Sequence, residues 1–540
     1  WRCAGTTGYD TLLRVQQVFL DPRGEQRLTA LADELLGEHQ DLVTMVQGAK
    51  KLVVREVQAP EVARLMRLVE RIVPREDPGS LRRALESLLT AMDRYRAYLV
   101  PGEPADPAQL AVLAQAEARA AQSLAAPSLA AQSTAQDDGD ALAVVAHLVA
   151  GGVVAGAAPD SAEAQHELMV RFQQTCGPVM AKAVEDTTFY RHARLTALNE
   201  VGGNPARLGI EPAELHAFAE RQLASWPTTM TTLSTHDTKR SEDVRARLGV
   251  LAEMPDEWRS WVLRAWELAA RARRDQLDAA TEYLLWQTLV GAWPISTARL
   301  QEYATKAVRE AKVHTSWLDP DDAYEQAVAT WVSWVTTDPS VGAHVEKWVT
   351  RSAPATRSVT LGQKLLQLVM PGVPDVYQGA ELVDLTLVDP DNRRVVDFAP
   401  RRERLTRLDA GGHPADLDDE KLLVTSRALR LRREQPGWFT GPDARYAAVP
   451  SSSEHALCVG RGDSDGIKVV AVMTRFAHRL DAAGGWGTSV VDLPAGSWRD
   501  VLTGRTLARN DGEARLANVL ADLPVALLVR HGSLDRDEHA

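Results

Sequence analysis

The stretch STHDTKRSEDVRARL, residues 234–248, carries the strongest indication of the fold. A short apolar approach ends at His236 and Asp237, and a helix rich in Asp and Arg begins near Ser241. A carboxylate beside a histidine, at the end of a strand and directly before a helix, suits an α/β barrel, because active sites there lie at the carboxyl ends of the strands. The alternative is structural: Asp237 caps the helix and His236 packs against it.

The sequence around this stretch alternates between helical and strand-like patterns. The apolar run at 365–369, followed by a Pro-Gly pair, predicts a buried strand that ends in a loop. Such alternation between 160 and 400 predicts α/β architecture. Beyond residue 421 a helix is predicted first, and then strands separated by Gly, Asp and Pro turns, which indicate a small C-terminal β-sandwich. These strands are predicted at 467–473, 489–493 and 525–529.

The N-terminal part of the chain has the apolar periodicity of helices. Leucines, valines and an isoleucine fall at helical spacing from Val62 to Val73, and Pro74 ends the run. Residues 101–140 are poor in large apolar side chains and predict a linker or a loosely packed helical insertion. Residues 141–158 are apolar, but they are rich in Ala and Gly, so a buried helix is favoured over a membrane span.

Composition excludes several classes of function. The 540 residues carry a net charge of -12, which argues against a general nucleic-acid binder. The three cysteines are far apart and have no metal-ligand spacing, so neither a disulfide framework nor a zinc site is indicated, and a reducing cytosolic setting is expected. No signal peptide is visible, and the opening WRCAGTTGYD has the character of a chain cut inside a domain.

Further motifs extend over most of the chain. They are GTTGYD at 5–10, FQQTCGPVMAKAVEDTTFYR at 172–191, ALNEVGGNP at 197–205, EYLLWQTLVGAWP at 282–294, REAKVHTSW at 309–317 and PGVPDVYQGAELVDLTLVDPDNRR at 371–394. Together with THDTKRSEDVRAR they resemble, in order, the maltooligosyl trehalose synthases of the α-amylase superfamily. Members of this family convert the reducing-end α-1,4 linkage of a maltooligosaccharide into an α,α-1,1 linkage.

The resemblance implies a partial (β/α)8 barrel of the amylase type, with a large helical insertion and a C-terminal β-sandwich. The expected domains are a barrel segment at 1–24, the helical insertion at 25–165, the remaining barrel with inserted helices at 166–420, and the β-sandwich at 421–540. No metal or organic cofactor is implied. The implied partners are a maltooligosaccharide or glycogen-derived glucan and, functionally, a trehalose-releasing hydrolase, with no nucleic acid and no membrane.

The resemblance also assigns roles to two residues of the 234–248 stretch. Enzymes of this superfamily use an Asp nucleophile and a Glu acid/base about 5 Å apart, and a third carboxylate stabilises the oxocarbenium-like transition state. Asp237 matches the third carboxylate, and His236 matches its sugar-binding partner. The family's nucleophile and acid/base precede GTTGYD, so neither is expected in this chain, which begins four residues before Gly5. The chain by itself is therefore expected to be inactive.

Other polar residues are candidates for lining the substrate site. Glu185 and Asp186 either line it or form salt bridges with Lys182 and Arg191. The reaction requires the released glucose to stay bound while water is excluded. The residues expected to hold that glucose are Tyr190, Arg191, Lys239 and Arg240. For Lys239 and Arg240, the alternative is pairing with Glu242 and Asp243.

Two weaker motifs and two other functions remain open at this point. The segment LVDPDNRR at 387–394 has three oxygen-bearing side chains, but it lacks the Gly and Glu of an EF-hand, so a turn is favoured over a calcium loop. His314 is expected to be structural. The alternative functions are an α-amylase-type hydrolase, which would create reducing ends, and a glycan-binding protein without catalytic activity.

Overall fold

The chain is mainly helical, and the side chain of an N-cap residue begins several of its helices. The computed structural model describes residues 3–125, 135–273, 277–510 and 512–531. Within these ranges the helices are, in order, α1 Tyr9–Gln17, α2 Glu25–Leu36, α3 Leu42–Leu52, α4 Ala59–Ile72, α5 Pro78–Ala91, α6 Pro107–Ala125, α7 Ala135–Val149, α8 Ala162–Met180, α9 Phe189–Arg191, α10 Pro212–Ser225, α11 Glu242–Gly249, α12 Pro255–Arg273, α13 Ala279–Ala292, α14 Thr297–Ala311, α15 Asp322–Thr337, α16 Pro339–Val369, α17 Phe398–Asp409, α18 Leu417–Glu434, α19 Ala477–Ala482 and α20 Leu516–Val519.

The strands are short and most lie near the C-terminus. They are β1 Met230–Thr231, β2 Val373–Pro374, β3 Arg445–Ala448, β4 Ala456–Asp463, β5 Gly466–Thr474, β6 Val490–Asp492, β7 Gly496–Asp500, β8 Thr506–Asn510, β9 Glu513–Arg515 and β10 Val525–Arg530. The chain divides into two compact units. The helical unit comprises Gln40–Arg191 and Glu310–Val313, and the larger unit comprises Arg2–His39, His192–Arg309 and His314–Ala540.

The helical unit is organised around the apolar stripes of its helices. The stripe predicted from Val62 to Val73 lies on α4, is buried, and ends before Pro74 as expected. The N-cap of helix α5 is Asp77, whose side chain accepts a hydrogen bond from the backbone N–H of Ser80 at 2.7 Å. These helices share one hydrophobic core with α6, α7 and α8.

The apolar segment at 141–158 is a buried helix as far as Val149, which confirms that part of the prediction. Leu142, Val145 and Leu148 on α7 are buried in the core of the helical unit. Nowhere in the described ranges does a helix combine the length and apolar character needed to span a membrane.

The larger unit contains one prediction that is wrong. Residues 365–369 do not form a strand; they are the last turns of α16, a helix of 31 residues. Nearly every side chain from Ala355 to Val369 is buried, so the helix has no exposed face over this segment. A continuous apolar run is compatible with both a buried strand and a fully buried helix, and here packing on several sides decides for the helix.

The C-terminal strands confirm the predictions at 467–473, 489–493 and 525–529, which are β5, β6 and β10. An antiparallel sheet of six strands has the order β3-β4-β5-β10-β7-β8, and β6 pairs separately with β9. The predicted helix after residue 421 is α18. Val491 of β6 and Val470, Val472 and Leu528 of the large sheet belong to one hydrophobic cluster.

Candidate functional site

Three extended segments of the larger unit lie side by side beneath the candidate site. Strands β1 and β2 are parallel, with Met230 opposite Val373. The backbone N–H of Met230 donates to the carbonyl of Thr6 at 3.2 Å, which brings the GTTGYD motif against β1. Gly8 has φ +92, and a Cβ there would lie 2.3 Å from the carbonyl oxygen of Met230, so the close approach requires glycine. The contacts of the GTTGYD motif with β1 connect residues that are more than 220 positions apart.

The segment that follows β1 contains the predicted catalytic carboxylate. Residues 235–240, here called the 235–240 loop, have no regular secondary structure and lead into α11. The side chain of Asp237 is 60% exposed, and its Oδ2 atom lies 3.1 Å from Nε2 of His236, which is 55% exposed. Both polar side chains are therefore within reach of a ligand from solvent.

Helix capping does not explain Asp237. The N-cap of α11 is Ser241, whose side chain accepts a hydrogen bond from the backbone N–H of Val244. The alternative in which Asp237 caps the helix is therefore wrong. Asp237 lies four residues too early in the chain for that position, and its backbone N–H donates to Oγ1 of Thr235 at 3.1 Å.

The backbone of the 235–240 loop is held by the buried side chain of Glu200. Its Oε1 atom accepts from the N–H of Lys239 at 2.8 Å, and its Oε2 atom accepts from the N–H of Arg240 at 3.2 Å. Arg245, which is fully buried, lies 3.3 Å from the same Oε2 atom. Burial lowers the pKa of Arg245, and the charge of Glu200 opposes that effect. Glu200 thus meets two backbone amides of the loop, the N–H of its neighbour Val201 and one guanidinium.

The opposite side of the loop is held by Asn392. Its Nδ2 atom donates to the carbonyls of Thr235 at 3.2 Å and of His236 at 3.1 Å. Through these two hydrogen bonds Asn392 holds the loop. Asp391 is paired with Arg299, with Nε to Oδ1 at 2.9 Å and Nη2 to Oδ2 at 2.8 Å. The turn predicted for LVDPDNRR fits these contacts better than a calcium loop.

Arg240 does not pair with Glu242 or Asp243, so that alternative is wrong. Its guanidinium donates to the carbonyl of Thr196 at 3.2 Å and to the hydroxyl of Tyr303 at 2.9 Å. Arg240 is 1% exposed, so this last residue of the loop has a buried, hydrogen-bonded side chain rather than a free cation. Lys239 is also buried.

Glu242 and Asp243 instead face two buried lysines. Nζ of Lys364 lies 2.7 Å from Oε1 of Glu242, and Nζ of Lys421 lies 2.9 Å from the same atom and 2.6 Å from Oδ2 of Asp243. Burial alone would raise the pKa of Glu242, but the two ammonium groups lower it to about 2. Burial raises the pKa of Asp243. The four side chains form a buried network directly behind the start of α11.

The other four candidate residues belong to the helical unit. Asp186 pairs with Lys182 at 2.7 Å, which confirms that salt bridge, and Glu185 accepts a hydrogen bond from the hydroxyl of Tyr95. The predicted bridge to Arg191 is wrong, because its guanidinium donates to two carbonyls in the segment Glu310–Val313 instead. Tyr190 is buried. Residues Ala181–Thr188 are wound as a π-helix, a form often found near functional sites.

The remaining sequence candidates have structural partners. Nε2 of His314 lies 3.5 Å from Oδ2 of Asp278, and the imidazole packs against the ring of Tyr324 with 4.6 Å between centroids. Over the described ranges, no three His, Cys, Asp or Glu side chains are grouped so as to hold a metal ion. Sequence reasoning missed Glu200 and Asn392 as loop-holding residues. Both occur in motifs quoted above, but a motif does not reveal which backbone groups a side chain meets.

The chain was compared with protein families, with curated proteins and with solved structures. No protein-family model matches the chain. A protein of Mycobacterium tuberculosis named as a maltooligosyl trehalose synthase is 40% identical over 535 residues, covering 97% of this chain. The solved maltooligosyltrehalose synthase of Arthrobacter ramosus is 41% identical over 98% of this chain, with a TM-score of 0.84. The chain is related to the maltooligosyl trehalose synthases. The resemblance found in its motifs is thereby confirmed.

The chain spans less than two thirds of these maltooligosyl trehalose synthases: 63% of the Mycobacterium protein and 64% of the Arthrobacter structure. A solved glycosyltrehalose synthase at 27% identity is similar over 98% of this chain and 61% of its own length, with a TM-score of 0.74. The agreement covers both sequence and fold throughout the chain.

Proposed function

We propose that this chain acts in the intramolecular transglycosylation that forms maltooligosyl trehalose from a maltooligosaccharide. The observation that carries the proposal is the match to the Arthrobacter synthase over 98% of the chain at a TM-score of 0.84. The half-exposed pair of His236 and Asp237 supports it, because both side chains can reach a sugar ring from the end of β1. The substrate in this proposal is a maltooligosaccharide or a glycogen-derived glucan.

In this proposal Asp237 stabilises positive charge on the sugar. Bond cleavage places an oxocarbenium-like charge on the ring, and a carboxylate close to it is favoured in a site that excludes water. His236, 3.1 Å from that carboxylate, donates a hydrogen bond to a hydroxyl of the same sugar. Lys239, which belongs to the same loop, is proposed to line the sugar-binding site of the larger unit next to this pair.

We propose the barrel, insertion and sandwich partition as the finer description of the fold. The three extended segments at Thr6, β1 and β2 support a barrel wall. The single hydrophobic cluster shared by the six-stranded and two-stranded sheets supports a sandwich at 421–540. A trehalose-releasing hydrolase would consume the product, and the free thiol of the buried Cys176 is compatible with a reducing compartment.

The test uses maltopentaose and two variants of the chain. Isothermal titration is expected to show binding by wild type and binding about tenfold weaker for Asp237→Asn, a loss of about 1.4 kcal/mol. The matched control is Asp465→Asn, which makes the same change at an exposed carboxylate and should bind as wild type does. Wild type without binding, or equal binding by the two variants, would contradict the proposed role.

A second measurement separates the three candidate functions. A synthase consumes reducing ends while releasing little glucose, whereas an α-amylase-type hydrolase creates reducing ends, and a glycan-binding protein changes neither. Reducing ends and glucose are measured together after maltopentaose is incubated with the chain and, because the chain alone is expected to be inactive, with a version extended upstream in its reading frame. New reducing ends would overturn the synthase assignment in favour of the hydrolase. Binding without any turnover, unchanged when the chain is extended upstream in its reading frame, would favour a glycan-binding protein.

A further inference from the structure

Side chains meet several of the backbone hydrogen-bonding groups of the 235–240 loop, which has, among the described residues, only an isolated bridge from Arg240 to Leu387 and a turn bond from the N–H of Thr238 to the carbonyl of Thr235. A strand or helix would pair these groups with other backbone groups, and buried groups left unpaired are costly. Here the N–H groups of Lys239 and Arg240 donate to Glu200, and the carbonyls of Thr235 and His236 accept from Asn392. Four backbone groups in six consecutive residues are thus held by two side chains.

Both of these side chains are themselves fixed. Glu200 is 1% exposed and also accepts a hydrogen bond from the N–H of Val201 at 2.8 Å, so its carboxylate cannot rotate without breaking several bonds. Asn392 lies in a short 3-10 helix next to Asp391. Asp391 forms an ion pair with Arg299 and also accepts a hydrogen bond from the N–H of Leu387 at 2.8 Å. The two supports are therefore rigid.

Glu200 can meet only the N–H groups of the loop, whereas Asn392 meets its carbonyl groups through a donor. Amides need an acceptor, and the carboxylate of Glu200 offers two oxygens without any donor. Carbonyls need a donor, and the amide group of Asn392 has two N–H bonds on one atom. Since carbonyl oxygens cannot donate, the orientation of the Asn392 amide is set by its partners. A carboxylate at position 392 would repel the same carbonyls.

We propose that Glu200 and Asn392 are positioning residues that hold the 235–240 loop so that His236 and Asp237 meet the sugar. The proposal rests on the proposed function, because the sugar is the ligand that function supplies. Neither residue touches the sugar in this arrangement; each acts through the backbone of residues that do. Small errors in the placement of such residues can reduce the productive interaction by one or two orders of magnitude.

The test compares two isosteric variants of the whole chain. Asn392→Asp replaces the donating amide with a carboxylate of the same shape. Asn204→Asp is the matched control, because it adds the same charge at an exposed asparagine whose Oδ1 atom accepts from the N–H of Ala206 at 3.1 Å, a role that a carboxylate keeps. Amide hydrogen exchange of the peptide containing residues 234–241 is followed by mass spectrometry, and maltopentaose binding by calorimetry.

Asn392→Asp is expected to exchange the amides of the 235–240 loop about tenfold faster and to bind maltopentaose about tenfold more weakly, while Asn204→Asp behaves as wild type. The melting curve checks that both variants remain folded. If Asn392→Asp does not fold, Asn392→Ala carries the same expectation for exchange and binding. A merely structural role would lower the melting temperature without speeding exchange in this peptide selectively.

Failure of this inference and failure of the proposed function give different results. Hydrogen exchange needs no sugar, so it tests the holding of the loop even if wild type binds no maltooligosaccharide. Exchange and binding unchanged in the Asn392 variants would overturn the positioning role while the proposed function stands. Faster exchange with unchanged binding would also overturn it, because the loop geometry would then not matter to the sugar.

Discussion

Replacing Lys364 by methionine tests the buried charge network behind the 235–240 loop. In the wild type two ammonium groups, those of Lys364 and Lys421, face the two carboxylates of Glu242 and Asp243. Methionine has a similar length but no charge, so Lys364→Met leaves one ammonium group for two carboxylates. All four side chains are almost completely buried, so water cannot compensate for the loss.

The burial of these side chains sets the loss of folding free energy that is expected for Lys364→Met. Breaking a buried ion pair by removing one partner costs about 3–5 kcal/mol, whereas an exposed pair contributes about 0–1 kcal/mol. The loss is large beside a typical total stability of about 5–15 kcal/mol. Lys347→Met is the matched control, since it makes the same change at an exposed position on the same helix, α16, and is expected to change stability by less than about 0.5 kcal/mol.

The variant should also respond to pH in a defined direction. Burial already raises the pKa of Asp243, and loss of the Lys364 ammonium group removes one of the two charges that lower the pKa of Glu242. A carboxyl whose pKa is higher in the folded than in the unfolded state binds more protons when folded, so its contribution favours folding at low pH and is lost as pH rises through the folded pKa. The deficit of Lys364→Met relative to wild type should therefore be smaller at pH 5 than at pH 8.

Urea unfolding followed by circular dichroism at pH 5 and pH 8 measures both the loss of stability and its change with pH. The reasoning would be refuted if Lys364→Met were no less stable than Lys347→Met at pH 8. It would also be refuted if the deficit grew on acidification, because the network would then not contain an unpaired buried carboxylate.

Three further outcomes are expected from urea unfolding. Burial raises the pKa of Glu253 to about 7, so Glu253→Gln should be more stable than wild type above pH 7, on the order of 2 kcal/mol, with the advantage vanishing towards pH 4.5. The hydroxyls of Thr356 and Thr360 are buried without a hydrogen-bond partner in the described chain, so replacing both by valine should be neutral or stabilising by up to about 1 kcal/mol each; a loss above that would show that they are bonded. Gly8→Ala should cost at least about 2 kcal/mol and clearly more than Gly37→Ala, because both glycines have positive φ but only the first lies against a backbone carbonyl.

Local sequence patterns predicted those helices and strands that have a clear periodicity of apolar residues and turn residues at their ends. The strand at 467–473 and the helix Ala59–Ile72 appear where their periodicity and turn residues place them. The strand prediction for residues 365–369 is wrong because an apolar run is compatible with both a strand and a helix. Only the packing around α16 makes this segment helical. Periodicity is therefore informative at surfaces and half-buried faces, and ambiguous where a segment is buried on every side.

The candidate site shows the same division. The position of His236 and Asp237 after a short strand was predictable, because a strand end followed by a helix is a local pattern. The cap at Ser241 is also local, because its partner is the N–H of Val244. The partners of Arg240 were not predictable, since they depend on groups brought close by folding. Glu200 lies 39 positions before Lys239, and Asn392 lies 156 positions after His236.

The sequence by itself determined the family resemblance, the candidate carboxylate, several helices and three of the C-terminal strands of this chain. Only the tertiary structure decided which buried charges neutralise one another and which side chains hold the 235–240 loop. The physical reason is that hydrogen bonds and ion pairs act over about 3 Å in space, whereas their partners here are separated by tens to hundreds of residues along the chain.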